Sequence, residues 1–245
     1  MKVSIIIATL NVEAVFEKCL ISIFNQNYND FELIIIDGCS TDSTGHLLQK
    51  YRNKIDILIC EPDSGIYDAW NKGVKISHGE WLVFIGADDT FNDSESLSDL
   101  VNLIKLNGST NYISGKGCYE DSKGNPVTIF GKKFNSKSLK YGMFHFHPGS
   151  LHHRSLFEKG IEFNKAYSIA GDFHFFIQLR DAIKARFLNK IIINAGSAGL
   201  SKRRISAVIW ESCLAINDGN FGLYFSLRYF FVAHFKYILK KYIFC

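Results

Sequence analysis

The chain has 245 residues, 47% of them hydrophobic, and only three prolines, which is enough for one large α/β domain, or a domain with an appendage, around a sizeable core. Its formal net charge is +4, with no long basic run before the far C-terminus, so a nucleic-acid partner is disfavoured and small anionic ligands fit better. The cysteines (Cys19, Cys39, Cys60, Cys118, Cys213, Cys245) form no C-x-x-C pair and the N-terminus enters an apolar run at once, so a reducing cytosol is expected and no secretory leader is read.

Through residue 106 the pattern alternates. Apolar runs at Val3–Thr9, Phe31–Ile36, Ile55–Cys60 and Trp81–Ile85 predict strands, and the segments between them carry helical spacing. This is the βαβ pattern of a parallel sheet covered on both faces. The first helix would present Phe16, Leu20, Ile23 and Phe24 on one side. The second follows Ser40-Thr41-Asp42-Ser43, whose hydroxyls and carboxylate can cap free amides. A third spans about Ile66 to Ser77 and ends before His78-Gly79, and a fourth spans about Ser94 to Leu106 and ends at Asn107-Gly108. After Tyr112 the texture changes: Asp121 to Asn125 is a turn cluster between two short β-like stretches, followed by a Lys-rich connection to Tyr141. A helix is expected to start at Asp172 and a strand to run from Phe187 to Ile193, with no internal repeat or low-complexity tract anywhere.

Four polar clusters directly follow the apolar strands, which places them along one edge of the sheet, where open α/β folds bind ligands. They are Ala8-Thr9-Leu10-Asn11, Asp37 to Thr44, Glu61 to Gly73, and Asp88-Asp89. Two adjacent carboxylates repel each other, so such a pair usually holds a divalent cation or hydroxyl donors. The combination points to an enzyme for a metal-chelated, phosphate-bearing substrate.

The order of these clusters, joined by Tyr67-Asp68-Ala69-x-Asn71-Lys72-Gly73, resembles family 2 glycosyltransferases over about the first 90 residues, and the likeness resumes near Asp172. The resemblance implies a GT-A fold: an α/β, Rossmann-like, mostly parallel sheet with helices on both faces, here with a C-terminal amphipathic helical tail. It divides the chain into a catalytic domain over 1–205, with a nucleotide-sugar half (1–106) and an acceptor half (107–205), and a tail over 206–245. It also implies an inverting transfer of sugar from a nucleotide-sugar donor, by default a UDP-sugar, to a hydroxyl of a glycan or polyprenyl-linked glycan in bacterial surface-polysaccharide synthesis.

By the same resemblance, Asp37 contacts the base, Thr9, Asn11 and Asp63 face the nucleotide, and Lys72 joins them on the donor side. Asp88 faces the ribose or sugar, and Asp89 holds Mg²⁺ or Mn²⁺ on the diphosphate. Asp172 takes the general-base position. The segment from Gly199 to Arg204 matches a loop that closes over the pyrophosphate, with Lys202, Arg203 and Arg204 as candidate diphosphate contacts. The chain lacks the Gln-x-x-Arg-Trp element of processive synthases, so single addition is expected.

Rival readings rest on absent or duller features. A sugar-phosphate nucleotidylyltransferase would carry a Gly-rich, Arg-containing loop after the first strand, and a dinucleotide oxidoreductase a G-x-G-x-x-G there; Thr9-Leu10-Asn11-Val12 is neither. A non-catalytic nucleotide-sugar or carbohydrate-binding protein remains the third reading. Taken singly, Asp37 and Asp42 read as turn and cap residues, Asp172 as a helix N-cap, Lys202-Arg203-Arg204 as a solvated run, and Trp70 as core. His145, His147, His152 and His153 lack helical i, i+4 spacing and close cysteine partners, so they read as acceptor-site lining or a capped strand before they read as zinc ligands. From Phe221 to Cys245, aromatic and aliphatic residues are punctuated by Arg228, Lys236, Lys240 and Lys241. No apolar run reaches the roughly 20 residues needed to cross a bilayer. An interfacial helix on an anionic membrane is expected, at the inner face of the cytoplasmic membrane, with packing back on the protein or on a second subunit as its rival.

Overall fold

The computed structural model describes residues 2–105, 109–121, 124–196, 199 and 204–242. Strands β1 (Val3–Thr9), β2 (Phe31–Asp37), β3 (Ile57–Cys60) and β4 (Trp81–Gly86) lie parallel, in the order β3-β2-β1-β4. Helices α1 (Glu13–Phe24), α2 (Thr44–Lys50) and α3 (Ile66–Ile76) provide the crossovers. Because side chains alternate along a strand, an unbroken apolar run feeds two cores at once. Val3, Ile5, Ile7, Leu33, Ile35, Val83 and Ile85 enter one core with Phe16 and Leu20 of α1 and with Leu97 and Leu100 of α4 (Ser96–Lys105). Ile6, Ile34, Ile36, Leu82 and Phe84 enter the other with Tyr67 and Trp70 of α3 and with Phe173, Phe175 and Phe176 of α5 (Gly171–Gln178). Each fully buried Leu, Ile or Phe contributes about 1.5–3 kcal/mol.

Beyond β4 the sheet continues through antiparallel β8 (Leu151–His153), then β6 (Tyr112–Glu120), β9 (Ala185–Ala195) and β5 (Thr90–Phe91). β7 (Pro126–Phe130) folds back on β6 around the Asp121–Asn125 turn, as expected. β6 and β9 run parallel from Tyr112 opposite Ala185 to Tyr119 opposite Ala195, with the register shifting between Ser114 and Gly117. The element boundaries differ from the sequence expectation for local reasons. Arg52–Lys54 form a 3-10 turn whose Arg52 guanidinium donates to Ile55 O at 2.8 Å, so Ile55 turns into the core and the third strand starts two residues later. Asp93 Oδ1 accepts from Glu95 N and Ser96 Oγ, and this turn delays the fourth helix to Ser96.

The C-terminal segment is two helices, α6 (Ile205–Asp218) and α7 (Leu223–Tyr242). The first part of α7 packs back on the domain. Ser226 Oγ donates to Cys213 O at 2.9 Å, Phe225 meets the Tyr141 ring with centroids 5.7 Å apart, and the Arg228 guanidinium sits 4.8 Å from the Tyr141 centroid. Tyr224, Leu227, Phe231, Phe235 and Ile238, three or four residues apart and so on one helix face, stay exposed. Among the described residues, no helix is long and apolar enough to cross a membrane.

Candidate active site

The C-terminal ends of β1 and β2 are tied together by side chains. Thr9 Oγ1 donates to Asp37 Oδ1 at 2.8 Å, and Ser40 donates to the same carboxylate twice, through Oγ to Oδ1 at 2.6 Å and through N to Oδ2 at 2.8 Å. Asp37 is buried and its position is fixed before any ligand arrives. Asn11 adopts φ 53°, in the left-handed region that asparagine tolerates. Its Oδ1 accepts from Thr41 N at 2.8 Å, and its N–H donates to Ser40 Oγ at 2.9 Å. Thr9 and Asn11 therefore build the Asp37–Asp42 loop. Asp63 lies across it: a Cβ at Gly38 would sit 2.7 Å from Asp63 Oδ2, so only glycine lets the two loops approach. Lys72 is engaged with Glu61 Oε1 at 2.8 Å and Pro62 O at 2.8 Å, stapling the loop that carries Asp63.

At the end of β4, Asp89 is 7% exposed and accepts from Gly86 N at 3.1 Å through Oδ2 and from Gly196 N at 3.2 Å through Oδ1. Asp88 Oδ2 is buried with no hydrogen-bond partner. An orphaned carboxylate oxygen inside a protein is costly unless a cation or a donor meets it. The donor set of this pair fits a hard divalent ion, which commonly takes one or two carboxylates and fills its remaining positions with phosphate oxygens and water. Among the described residues no group of three or more His, Cys, Asp or Glu is arranged to hold a metal by protein ligands alone.

Asp172 occupies the first turn of α5. Its Oδ1 accepts from Phe173 N at 2.8 Å and lies 3.2 Å from Tyr67 Oη. The Tyr67 hydroxyl has one proton, and its shorter contact, 2.5 Å, is to Ile169 O. Burial raises the Asp172 carboxyl to about 6, against the opposing pull of the Phe173 amide and Tyr67, with the Glu211 charge adding to the rise. Oδ2 faces His147 Nδ1 at 3.5 Å. This is not an ion pair, because burial holds the His147 imidazole well below its ordinary value and hence neutral. Burial likewise lowers His145 to about 3 and His152 to about 4. His145, His147 and His152 pack among the rings of Tyr112, Phe84 and Phe176, whereas His153 caps a 3-10 turn through Ser155.

Two participants carried no sequence signal for their roles. Tyr119, on β6, has its phenol raised by burial and then by the charges of Asp89 and Asp172. Tyr67 stood in the α3 motif, but only the fold shows its hydroxyl beside Asp172; Trp70, one turn on, is core against Phe84 and Phe163. Arg204 is exposed at the start of α6, while Lys202 and Arg203 lie outside the described residues.

The sequence profile of glycosyl transferase family 2 matches residues 4–180, the stretch that carries Asp37, Asp63, Asp88, Asp89 and Asp172. The chain belongs to glycosyltransferase family 2. This glycosyltransferase is 30% identical over 201 residues to a PGL/p-HBAD biosynthesis glycosyltransferase of Mycobacterium bovis, a match covering 80% of this chain and 77% of the relative. It is 32% identical over 132 residues to the poly(ribitol-phosphate) β-N-acetylglucosaminyltransferase TarS of Staphylococcus aureus, covering 48% of this chain and 22% of TarS. Among solved structures, S. aureus TarS residues 1–349 in complex with UDP-GlcNAc superposes with TM-score 0.71 at 23% identity, over 96% of this chain and 73% of that one. The mannosyltransferase PcManGT of Pyrobaculum calidifontis, in complex with GDP-Man and Mn²⁺, gives TM-score 0.65 at 17% identity, over 94% and 73%. The fold is GT-A, and the enzyme is a glycosyltransferase of polysaccharide or glycoconjugate biosynthesis, of the surface-polysaccharide type.

Proposed function

We propose that this glycosyltransferase moves a sugar from a nucleotide-sugar donor, a UDP-sugar by first choice, to a hydroxyl of a glycan or lipid-linked glycan, inverting the anomeric centre. The observation that carries the reading is the buried, unpartnered Oδ2 of Asp88 beside buried Asp89 at the end of β4, and the Asp172 carboxyl, raised by burial to about 6, supports the base assignment. The ligands bound in the structural neighbours, UDP-GlcNAc in TarS and GDP-Man with Mn²⁺ in PcManGT, support the donor class.

In this reading Asp37, fixed by Thr9 and Ser40, and Asp63, across Gly38, form the nucleoside wall, with Asn11 and Lys72 holding its two loops. Asp89 would hold Mg²⁺ or Mn²⁺, and Asp88, whose buried Oδ2 has no hydrogen-bond partner, would face the ribose or donor sugar. A bound divalent ion neutralises charge on the departing diphosphate. Arg204, and Arg203 beside it, add charge-assisted hydrogen bonds to the diphosphate. Asp172 keeps Oδ1 on the Phe173 amide and uses Oδ2 to take the proton of the acceptor hydroxyl as that oxygen attacks. A carboxyl held near 6 is ionised at pH 7 yet basic enough to accept that proton. One displacement from the face opposite the leaving group inverts the centre.

The exposed stripe of α7 supports a membrane-facing acceptor. No acidic residue follows Asp218 in the sequence, whereas Arg228, Lys236, Lys240 and Lys241 do, so the tail complements anionic headgroups at the inner face of the cytoplasmic membrane. Turnover of a nucleotide-sugar panel against lipid-linked acceptors, with the product anomer read by NMR, tests the reading. Inverted product made by wild type and lost in Asp172→Asn supports it; retained configuration, or full turnover in Asp172→Asn, refutes the base assignment.

A further inference from the structure

We propose that Glu211, on α6, is a positioning residue for Asp172, an inference that rests on Asp172 acting as the base. Glu211 gathers the three residues just ahead of α5. Its Oε2 accepts from Ile169 N at 2.8 Å and Ala170 N at 2.9 Å, and its Oε1 accepts from Ser168 Oγ at 2.5 Å and Ser168 N at 3.0 Å. Three consecutive backbone N–H groups thus converge on one carboxylate, an anion nest occupied by the protein's own side chain. Asp218, two turns further along α6, accepts from Tyr167 Oη at 2.7 Å, and Tyr67 Oη donates to Ile169 O at 2.5 Å. The segment 167–170 has little freedom left, and Asp172 follows it after a single glycine.

That glycine leaves no slack. A Cβ on Gly171 would meet the Tyr67 ring at 2.7 Å, so the backbone there lies directly against the ring. Glu211 is ionised in this role: burial pushes its carboxyl up, but the Ser168 hydroxyl and the three amides outweigh burial and hold it below its ordinary value. Loss of its charge relaxes the loop, and a displacement of about 1 Å at a catalytic group costs on the order of 100-fold in rate. The groups facing Asp172 are Tyr67 from α3, Tyr112 and Tyr119 from β6, His147 ahead of β8 and Glu211 from α6. Of these only Glu211 is charged at neutral pH, so its removal also shifts the Asp172 titration downward.

The test is a double-mutant cycle with a spectroscopic readout. Glu211→Gln is expected to lower kcat about 10- to 100-fold with donor KM unchanged, to cost nothing further when added to Asp172→Asn, and to lower the NMR titration midpoint of the Asp172 carboxyl. Should Glu211→Gln fail to fold, Ser168→Ala removes one bond to the carboxylate and is expected to lower kcat a few-fold in the same pattern. If kcat and the Asp172 midpoint stay at wild-type values, or if the loss repeats in full in the Asp172→Asn background or appears in donor binding, the proposal is overturned. Unchanged turnover in Asp172→Asn alone defeats the base assignment instead, a separate outcome.

Discussion

Replacing Asp172 with asparagine should move stability and turnover in opposite directions. The Asp172 side chain is 23% exposed, and burial lifts its carboxyl from 3.8 to about 6. A raised folded-state value means the folded protein binds the proton more tightly than the unfolded chain does. The stabilisation from that proton is complete below the unfolded value and is lost as pH rises through about 6. At pH 8 the ionised carboxylate therefore costs up to about 3 kcal/mol, at roughly 1.4 kcal/mol per pKa unit. Near pH 4, where Asp172 is protonated when folded, the cost is below about 1 kcal/mol. Asparagine keeps an oxygen to accept from Phe173 N and puts an N–H toward His147 Nδ1 in place of Oδ2. Asp172→Asn should thus be more stable than wild type by about 1–3 kcal/mol at pH 8 and nearly equal to it at pH 4, while turnover falls about 10²- to 10⁴-fold. Urea unfolding across this pH range measures the first, and released nucleotide the second. A variant no more stable at pH 8, or one whose advantage is the same at both pH values, would refute the raised, buried carboxyl.

Three further outcomes follow from other contacts. Gly171→Ala places a methyl 2.7 Å from the Tyr67 ring and should cost about 1–3 kcal/mol by overpacking, read by chemical denaturation, with turnover falling as well. Glu32, buried at the opposite end of the sheet, is raised by burial but held down to about 2 by Ser4, the His78 amide and Lys2. Its stabilisation, about 3 kcal/mol, is present above the unfolded value near 4.5 and lost as pH falls toward 2; Glu32→Gln should flatten the urea-midpoint profile over that window. Phe231→Ser with Phe235→Ser should abolish co-sedimentation with anionic vesicles while sparing turnover of a water-soluble acceptor; unchanged sedimentation would remove the membrane role of α7.

The half of the fold built from local pattern was legible in the sequence. β1 to β4 are predominantly apolar runs because both faces of a parallel sheet are covered, and the carboxylates at their ends follow directly from strand direction. The polar clusters at the strand ends were legible for the same reason, each being contiguous in the chain. Contacts across long separations were not. Tyr67 meets Asp172 across 105 residues, and Glu211 meets Ala170 across 41, and neither pairing leaves a trace in spacing. The sequence likeness puts Asn11 against the nucleotide and Lys72 on the donor side, and only the fold shows that each also holds a neighbouring loop. The tail was legible in composition alone: its apolar side chains divide between packing on Tyr141 and exposure, a division fixed by tertiary contacts.

Calorimetric titration of the purified protein with UDP, GDP and dTDP, each with Mn²⁺ and with chelator, and in parallel on Asp89→Ala, bears most directly on the donor site. Binding of one nucleotide that needs the metal and disappears in the variant is the expected result. A well-folded protein that binds none of the three, or that binds equally well with chelator and without Asp89, would contradict a metal-assisted nucleotide-sugar site at the ends of β1 to β4.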